Sequence, residues 1–309
     1  MSDEQPLVPS GEIGEQLPLP VFTPPNIGEM ITSSLSSNTY QIGEFIGEGH
    51  FGVVYACSDT WNNELAAKVL KPRNQAYETV KQEAIAEFQK LLALRNPYIT
   101  FVYDAFEYRH TFYIITEKCH KPVHDIMTIQ NYKGDLWVKP IARCLLQAAH
   151  FVHINGFAHQ DIHMGNVFCS FIKDELLPED NLALTFKLGD LGIAKLVQHM
   201  DANNTFLAEW IRPPEAVRPE EFGPLDHRID IYHCGLLLLQ VLYGKEITLT
   251  QEEILSGAPR TLALSLPAPF NFALEKALRR HVLYRTATAM ELWRDLNGPQ
   301  EQTVIEHQI

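Results

Sequence analysis

The sequence contains few cysteines, and no two of them form a Cys-x-x-Cys pair. Five occur in 309 residues, at positions 57, 119, 144, 169 and 234. A disulfide framework or a structural zinc site needs cysteines that are closer together and more regularly spaced. Their scattered positions predict reduced thiols and, with them, a cytoplasmic protein.

Basic residues and long apolar runs are also scarce. Lys and Arg total 25 against 38 Asp and Glu, which gives a formal net charge of −13. Proteins that bind nucleic acids usually carry a basic stripe, so this charge argues against such a partner. The four leucines at 236–239 are too few to cross a membrane, and the first residues lack a signal-peptide pattern. We expect no membrane insertion, and no pattern indicates the oligomeric state.

Hydrophobic periodicity is weak in the first 38 residues. This segment is rich in Pro, Ser, Gly and Glu. Such a composition cannot bury enough apolar surface to form a core, and it predicts a disordered N-terminal tail. A partner-docking segment is the alternative interpretation. No internal repeat is evident in the rest of the chain.

Residues suited to phosphate chemistry occur together at 159–166, His-Gln-Asp-Ile-His-Met-Gly-Asn, and again at 190–192, Asp-Leu-Gly. Phosphoryl transfer needs a carboxylate near the attacking hydroxyl, a role suited to Asp161. It also needs oxygen ligands for Mg²⁺, which Asn166 and Asp190 offer. Taken alone, these segments are equally consistent with polar turns.

A glycine-rich segment lies upstream, with Gly47, Gly49 and Gly52 between two strand-like stretches. Glycines at this spacing let a hairpin backbone approach phosphate oxygens, because no Cβ blocks the way. An ordinary glycine-rich hairpin turn is the alternative. A dinucleotide-binding motif fits less well, since it should open a helix, whereas residues 53–56 read as a second strand.

One lysine interrupts the apolar run at 65–70. Burying the ammonium of Lys68 is costly unless an anion is paired with it. An exposed edge strand is the alternative. The following stretch, 77–94, has helical periodicity and contains Glu83 and Glu87, although most glutamates on helices are simply solvated.

Taken in order, these features resemble the motifs of the protein kinase family. The resemblance covers about residues 40 to 297. The C-terminal half adds a Pro-Pro-Glu at 213–215, an Asp-x-x-x-x-Gly at 230–235 and a late arginine. The matching positions are Gly47, Gly49, Gly52, Val54, Ala66, Lys68, Glu87, His159, Asp161, Asn166, Asp190, Gly192, Glu215, Asp230 and Arg285.

This resemblance implies an α+β, two-lobed kinase-like fold, with a small antiparallel-sheet N-lobe containing one helix and a mainly helical C-lobe. The implied boundaries are 39–118 for the N-lobe, 119–297 for the C-lobe and 298–309 for a C-terminal tail. Residues 117–119 would form the hinge between the lobes. The stretch between Asn166 and Asp190 is long for the family, so we expect an inserted loop at 170–181.

The resemblance also implies ATP and Mg²⁺ as cofactors and a protein as substrate. Asp161 would be the catalytic base, assisted by Lys68, Glu87 and His163, and Asn166 and Asp190 would bind the metal. His159 and Asp230 are expected to be structural. ATP contacts are expected at Gly47, Gly49, Gly52, Val54, Ala66, Lys68, Thr116, Glu117, Cys119 and Phe168.

Two departures from the family pattern leave alternatives open. Gln160 stands where many kinases have the arginine that contacts a phosphorylated activation loop, so activation by phosphate is less expected. His163 stands where Ser/Thr kinases usually carry lysine. The second departure counts against Ser/Thr specificity, but the motifs taken together lead us to expect a Ser/Thr protein kinase. The alternatives are a small-molecule kinase of the aminoglycoside or choline type, whose pattern is similar around His163, and a pseudokinase that binds nucleotide as a scaffold.

Overall fold

A computed structural model of the protein describes residues 23–49, 52–71, 77–173, 182–192, 194–201, 207 and 209–298. Six strands form one antiparallel sheet in the order β1-β2-β3-β4-β6-β5. Within the described residues, one helix, α1, accompanies this sheet. The bounds are β1 Met30–Thr32, β2 Thr39–Glu48, β3 Gly52–Asp59, β4 Glu64–Leu70, α1 Tyr77–Ala93, β5 Val102–Tyr108 and β6 Thr111–Glu117.

The rest of the described chain is mainly helical. A three-stranded sheet, ordered β10-β9-β7, and a two-stranded β11-β8 pair lie beside the helices. The bounds are β7 Lys121–Pro122, α2 Val123–Ile126, α3 Gly134–Ile154, β8 Phe157–Ala158, β9 Val167–Lys173, β10 Leu182–Leu188, β11 Lys195–Leu196, α4 Pro214–Val217, α5 Pro219–Phe222, α6 Arg228–Tyr243, α7 Gln251–Ser256, α8 Ala258–Leu264, α9 Phe270–Ala277 and α10 Ala289–Asn297. The predicted α+β architecture is confirmed.

One apolar core lies within the N-lobe, and a larger one is centred on the C-lobe and reaches β5 and β6 of the N-lobe. In the N-lobe, the rings of Tyr40, Phe106 and Tyr113 stack in one column, with centroids 5.9 and 5.6 Å apart. In the C-lobe, α6 is buried along most of its length, from Ile229 to Val241, as expected of a central helix surrounded by others. Helix α3 packs against α6, and α10 packs against α3.

The prediction of a tail up to residue 38 is wrong for its last part. Strand β1 pairs with β2, and Ile31 is fully buried. The turn after β1 is held by Asp104 of β5, because the hydroxyls of Ser36 and Tyr40 both donate to its carboxylate. Burial of an apolar residue and satisfaction of a buried carboxylate together order this segment. Residues 1–22 lie outside the described part.

The inserted loop predicted at 170–181 is shorter than expected. Strand β9 continues to Lys173, and β10 begins at Leu182, with the two strands paired along their whole length. Antiparallel backbone pairing of residues 170–173 with residues 182–185 accounts for the extension. Residues 174–181 lie outside the described part.

Candidate active site

The cleft between the two lobes brings Lys68 and Asp190 together. Lys68 comes from β4, and Asp190 follows β10. The Lys68 Nζ atom lies 3.0 Å from Asp190 Oδ1, and the two side chains are 15% and 28% exposed. The lysine in the apolar run therefore has an anionic partner, as its position in the sequence requires.

Asp190 adopts an uncommon backbone conformation, with φ of 58°. Aspartate is one of the few residues other than glycine that adopt this left-handed conformation. The Gly192 amide donates to Asp190 Oδ1 at 3.2 Å. Lys90 of α1 donates to the carbonyl oxygens of Leu191 and Gly192 at 3.4 and 3.3 Å, which links α1 to this turn.

Burial would raise the pKa of Asp190, but the charge of Lys68 and the hydrogen bonds from Lys68 and the Gly192 amide outweigh it. The net effect is a pKa below the usual range for aspartate. The carboxylate is therefore ionised at neutral pH and available to a cation.

Asp161 and Asn166 lie on one loop between β8 and β9. The Asn166 amide nitrogen donates to both the main-chain oxygen and Oδ2 of Asp161, each at 3.0 Å. The Gly189 amide donates to the Asn166 carbonyl at 2.8 Å, which fixes this loop against the residue before Asp190. Since the Asn166 nitrogen is used internally, its side-chain oxygen remains as the acceptor.

Four groups of influences act on the pKa of Asp161. Burial and the nearby carboxylate of Asp190 raise it, but the neighbouring imidazoles of His163 and His159 outweigh them and hold it below the usual range. The His163 Nε2 atom lies 3.7 Å from Asp161 Oδ2, close but longer than a hydrogen bond. Asp161 is thus an ionised carboxylate beside a nitrogen that can move toward it or toward a ligand.

The geometry around His163 identifies its tautomer. Its Nδ1 atom accepts a hydrogen bond from the Gly165 amide at 3.1 Å, so the neutral ring carries its proton on Nε2. A Cβ at position 165 would lie 2.9 Å from the His163 ring, so any larger residue there would displace the ring. The Trp210 ring packs edge-on against His163, with centroids 5.2 Å apart.

A buried brace lies behind this loop and consists of Asp230, His153 and His159. Asp230 Oδ2 contacts His153 Nε2 at 2.8 Å, and the carboxylate also accepts the main-chain amides of His159 and Gln160. His159 Nε2 in turn donates to the Gly189 carbonyl at 3.0 Å. Burial raises the pKa of Asp230, but the hydrogen bond and charge of His153 dominate and lower it to about 2.

A second buried ion pair joins Glu215 of α4 to Arg285. The two guanidinium nitrogens lie 2.5 and 2.7 Å from the two carboxylate oxygens, and both side chains are fully buried. The remaining guanidinium N–H groups donate to the carbonyl oxygens of Arg228, Arg279 and Arg280. All five donors of Arg285 are therefore used.

The three glycines at the turn from β2 to β3, Gly47, Gly49 and Gly52, differ in what surrounds them. A Cβ at Gly52 would lie 2.3 Å from the Val69 carbonyl oxygen, so packing of β3 on β4 requires glycine there. Among the described atoms, none lies within 4 Å of a Cβ added at Gly47 or Gly49. Contacts with the described residues therefore do not account for those two glycines. Residues 50 and 51 lie outside the described part.

The residues expected around the adenine ring come from both lobes. Ala66 and Thr116 are paired across β4 and β6, and Val54 is paired with Lys68. Phe168 lies in β9, and its ring packs against Gly189. A Cβ added to Gly189 would lie only 2.7 Å from that ring. Glu117 ends β6, and Cys119 follows it before the chain enters β7.

Two site residues were not identified from the sequence. His153 holds Asp230, but on α3 it reads as an ordinary helix position. Lys187 of β10 binds Glu117, with Nζ 2.7 Å from both carboxylate oxygens. The signal for Lys187 was the one that identified Lys68, a single lysine in an apolar strand. The expected partner of Lys68, Glu87, lies in α1, but its side chain is outside the described part.

The donor set of the cleft fits a hard divalent cation. Among the described residues, no group of three or more His, Cys, Asp or Glu side chains is placed to hold a metal ion. One carboxylate and one amide oxygen, from Asp190 and Asn166, suit Mg²⁺, which usually takes its other ligands from phosphates and water.

In the part of the chain that the structure describes, no helix has the length and apolar character needed to span a membrane.

A family model described as protein kinase domain matches residues 40–278. A probable serine/threonine-protein kinase PLK from Dictyostelium discoideum is 26% identical over 211 residues, which are 67% of this chain and 20% of that protein. Cyclin-dependent kinase-like 1 from Caenorhabditis elegans is 26% identical over 205 residues, 65% of this chain and 54% of that protein.

A probable serine/threonine-protein kinase zyg-1 from Caenorhabditis briggsae is 32% identical over 215 residues, 68% of this chain and 28% of that protein. The aligned part therefore spans between a fifth and just over half of the length of these three relatives. The family match includes the glycine-rich loop, the cleft and Glu215, and it ends before Arg285.

Proposed function

Because the chain belongs to the protein kinase family, we propose that it is an active enzyme that transfers the γ-phosphoryl group of ATP to a Ser or Thr hydroxyl of a protein, with Mg²⁺ as cofactor. One observation carries the proposal. Lys68 contacts Asp190, Asp161 contacts Asn166, and the Gly189 amide joins the two pairs through the Asn166 carbonyl. The groups needed for this chemistry thus lie in one connected network.

Asp161 is the base in this proposal. Its low pKa keeps it ionised, so it can orient the acceptor hydroxyl and take the proton as the oxygen attacks the γ-phosphorus. The new oxygen–phosphorus bond forms as the bond to the ADP oxygen breaks. The Asn166 amide holds Asp161 in place through two hydrogen bonds, so Asp161 does not have to reorganise during the reaction.

Lys68 and the metal ligands act on the phosphates. Lys68 would hold the α- and β-phosphates, with Glu87 of α1 as a second anionic partner. Asn166 and Asp190 would hold Mg²⁺, which when bound neutralises charge on the phosphates and on the transferring group. We place the adenine between Val54 and Ala66 on one side and Phe168 on the other, with Thr116 behind it and Glu117 and Cys119 along its edge.

His163 is proposed as a hydrogen-bond donor in place of the usual lysine. Its Nε2–H lies beside Asp161 and can reach either that carboxylate or the γ-phosphate. The names of the similar proteins support Ser/Thr rather than Tyr as the acceptor. We also propose a cytoplasmic location, because the described cysteines are all unpaired.

Two alternative functions remain to be tested against this proposal. A small-molecule kinase is favoured by the pattern around His163. The buried pair of Glu215 and Arg285 argues against it, because the small-molecule kinases generally lack it. A pseudokinase scaffold would not need the base, yet Asp161 is present, ionised and held by Asn166.

The experiment combines nucleotide binding with acceptor choice. The thermal unfolding midpoint should rise with ATP and Mg²⁺ together, since a ligand that binds only the native state stabilises it. Asp190→Asn should remove the Mg²⁺-dependent part of this rise. A thermal unfolding midpoint that does not change when nucleotide is added would favour the pseudokinase.

The acceptor is tested with a degenerate Ser/Thr/Tyr peptide library against a panel of aminoglycosides, choline and sugars, using labelled ATP. We expect phosphate on Ser and Thr residues. Labelling confined to the small molecules would overturn the protein acceptor while leaving the phosphotransfer chemistry intact.

A further inference from the structure

A salt bridge connects the two lobes beside the expected adenine site. The ammonium of Lys187 lies 2.7 Å from both oxygens of the Glu117 carboxylate. Glu117 is the last residue of β6 in the N-lobe sheet, and Lys187 belongs to β10 in the smaller sheet. The side chains are only 14% and 19% exposed, so this pair differs from an ordinary surface ion pair.

Glu117 is also bound by the segment that precedes β5. The Phe101 amide donates to Glu117 Oε1 at 2.6 Å, and the Glu117 amide donates to the Phe101 carbonyl at 2.9 Å. The same segment is bound to the end of β10, because the Thr100 amide donates to the Leu188 carbonyl at 2.9 Å. The contacts form a closed ring through the hinge, residues 100–101 and residues 187–188.

The ammonium of Lys187 supplies the positive charge in this ring of contacts, through its salt bridge with Glu117. Without its ammonium, the carboxylate of Glu117 would keep one amide donor in a mostly buried position, which is costly for an anion. A rotation of the Glu117 side chain that exposes the carboxylate to water would then be energetically favourable. That movement would shift the main chain of residues 117–119, which the proposed function places along the edge of the adenine.

Lys187 also lies directly across from Phe168, the proposed floor of the adenine site, in the pairing of β9 with β10. We propose that Lys187 is a positioning residue that sets the hinge backbone against the floor of the site, and so determines how well the chain binds the adenine base. This inference rests on the proposed function, since it assigns a role to the ATP site. It concerns the base alone, and it leaves phosphate binding and phosphoryl transfer to the residues already described.

The test compares Lys187→Met with a matched control, Lys276→Met. Lys276 of α9 is also paired with carboxylates, those of Glu291 and Asp295 on α10, but none of these three residues belongs to the proposed adenine site. Binding of adenosine, which has no phosphates and needs no Mg²⁺, is measured by calorimetry, and KM for ATP, kcat and the preference for ATP over GTP are measured alongside. We expect adenosine affinity to fall roughly tenfold in Lys187→Met, the equivalent of losing one charge-assisted contact. KM should rise to match, the preference for ATP over GTP should shrink, and kcat and the control should stay close to wild type.

A conservative variant separates positioning from folding. Lys187→Arg keeps a cation that can bind both carboxylate oxygens, so it should recover most of the adenosine affinity. If Lys187→Met does not fold, Lys187→Gln, which keeps one donor, replaces it and should give an intermediate affinity. Unchanged adenosine affinity in a folded variant would overturn the inference. The inference would also be overturned if all Lys187 variants, including Lys187→Arg, lost the same amount of kcat and of thermal stability. That result would indicate a structural role alone.

The wild-type arm distinguishes this inference from the proposed function. A wild-type chain that binds neither adenosine nor ATP would overturn the assignment of the site itself. A wild-type chain that binds both, together with a Lys187→Met variant that binds them equally well, would overturn only the role of Lys187.

Discussion

Two groups of charged and polar side chains in this protein differ in how far they are buried: a polar frame inside the C-lobe and the residues of the catalytic cleft. The frame consists of Asp230 with His153 and Glu215 with Arg285, whose side chains are at most 8% exposed. In the cleft, Lys68, Asp161 and Asp190 are 15% to 28% exposed. Frame carboxylates have their partners within the protein, whereas cleft carboxylates keep a face open to a ligand. Changes in the frame should therefore affect stability first, and changes in the cleft should affect turnover first.

The largest effect is expected from Asp161→Asn, which breaks the cleft alone. The amide has nearly the same shape but cannot accept the proton of the acceptor hydroxyl. We expect kcat to fall by about 10²- to 10⁴-fold, the usual contribution of a positioned base. The free energy of unfolding should change little, because the side chain is partly exposed. Steady-state kinetics and denaturant unfolding measure the two quantities, and Asp125→Asn, an exposed carboxylate on α2, is the control.

The next effect is expected from Arg285→Ala, which breaks the frame. Glu215 would remain buried and charged without its partner, so the free energy of unfolding should fall by roughly 3–5 kcal/mol. Turnover should fall as well, because α4 ends the segment on which a peptide would lie. The matched control is Arg218→Ala, whose ion pair with Glu221 is about half exposed on both sides and is worth about 0–1 kcal/mol. Equal stability losses in the two variants would contradict the distinction between buried and exposed pairs.

The smallest of the three effects is a dependence of stability on acid. The pKa of Asp230 is about 2 in the folded protein, below the roughly 3.9 of an unfolded aspartate. Its ionised form therefore stabilises the fold fully above about pH 4, and this stabilisation is lost as the pH falls toward 2. The contribution is on the order of 2–3 kcal/mol. Denaturant unfolding between pH 2 and 5 should show a steeper pH slope for wild type than for Asp230→Asn, and parallel slopes would show that Asp230 is not the group responsible.

The sequence predicts the fold class correctly because each motif combines a turn or strand pattern with a residue of special chemistry. Lys68 stands out as a charge in an apolar strand, and residues 159–166 stand out as polar residues between a helix and a strand. The structure brings Lys68, Asp161, Asn166 and Asp190 into one network, as expected. Their roles in catalysis remain predictions.

Contacts between distant residues could not be predicted in the same way. Strand β1 has only three residues, and its turn is ordered by Asp104, which lies far along the chain. His153 is one of many polar residues on α3 and is distinguished only by its contact with Asp230. Lys187 could have been identified by the cost of a lysine in an apolar strand, but its partner Glu117 could not. Local patterns fix which groups are special, and tertiary packing decides which of them meet.

Strand β1 and Arg285, near the two ends of the described domain, also limit how far the chain can be truncated. A shortened chain limited to the matched residues 40–278 would lose Ile31 and Ser36, leaving the β2 edge open to pairing with other chains. It would also lose Arg285, so Glu215 would be buried without a cation. Such a fragment would tend to aggregate even with every cleft residue intact. We therefore expect a fragment from about residue 26, where the turn before β1 begins, to residue 298, just after α10, to fold where the 40–278 fragment aggregates.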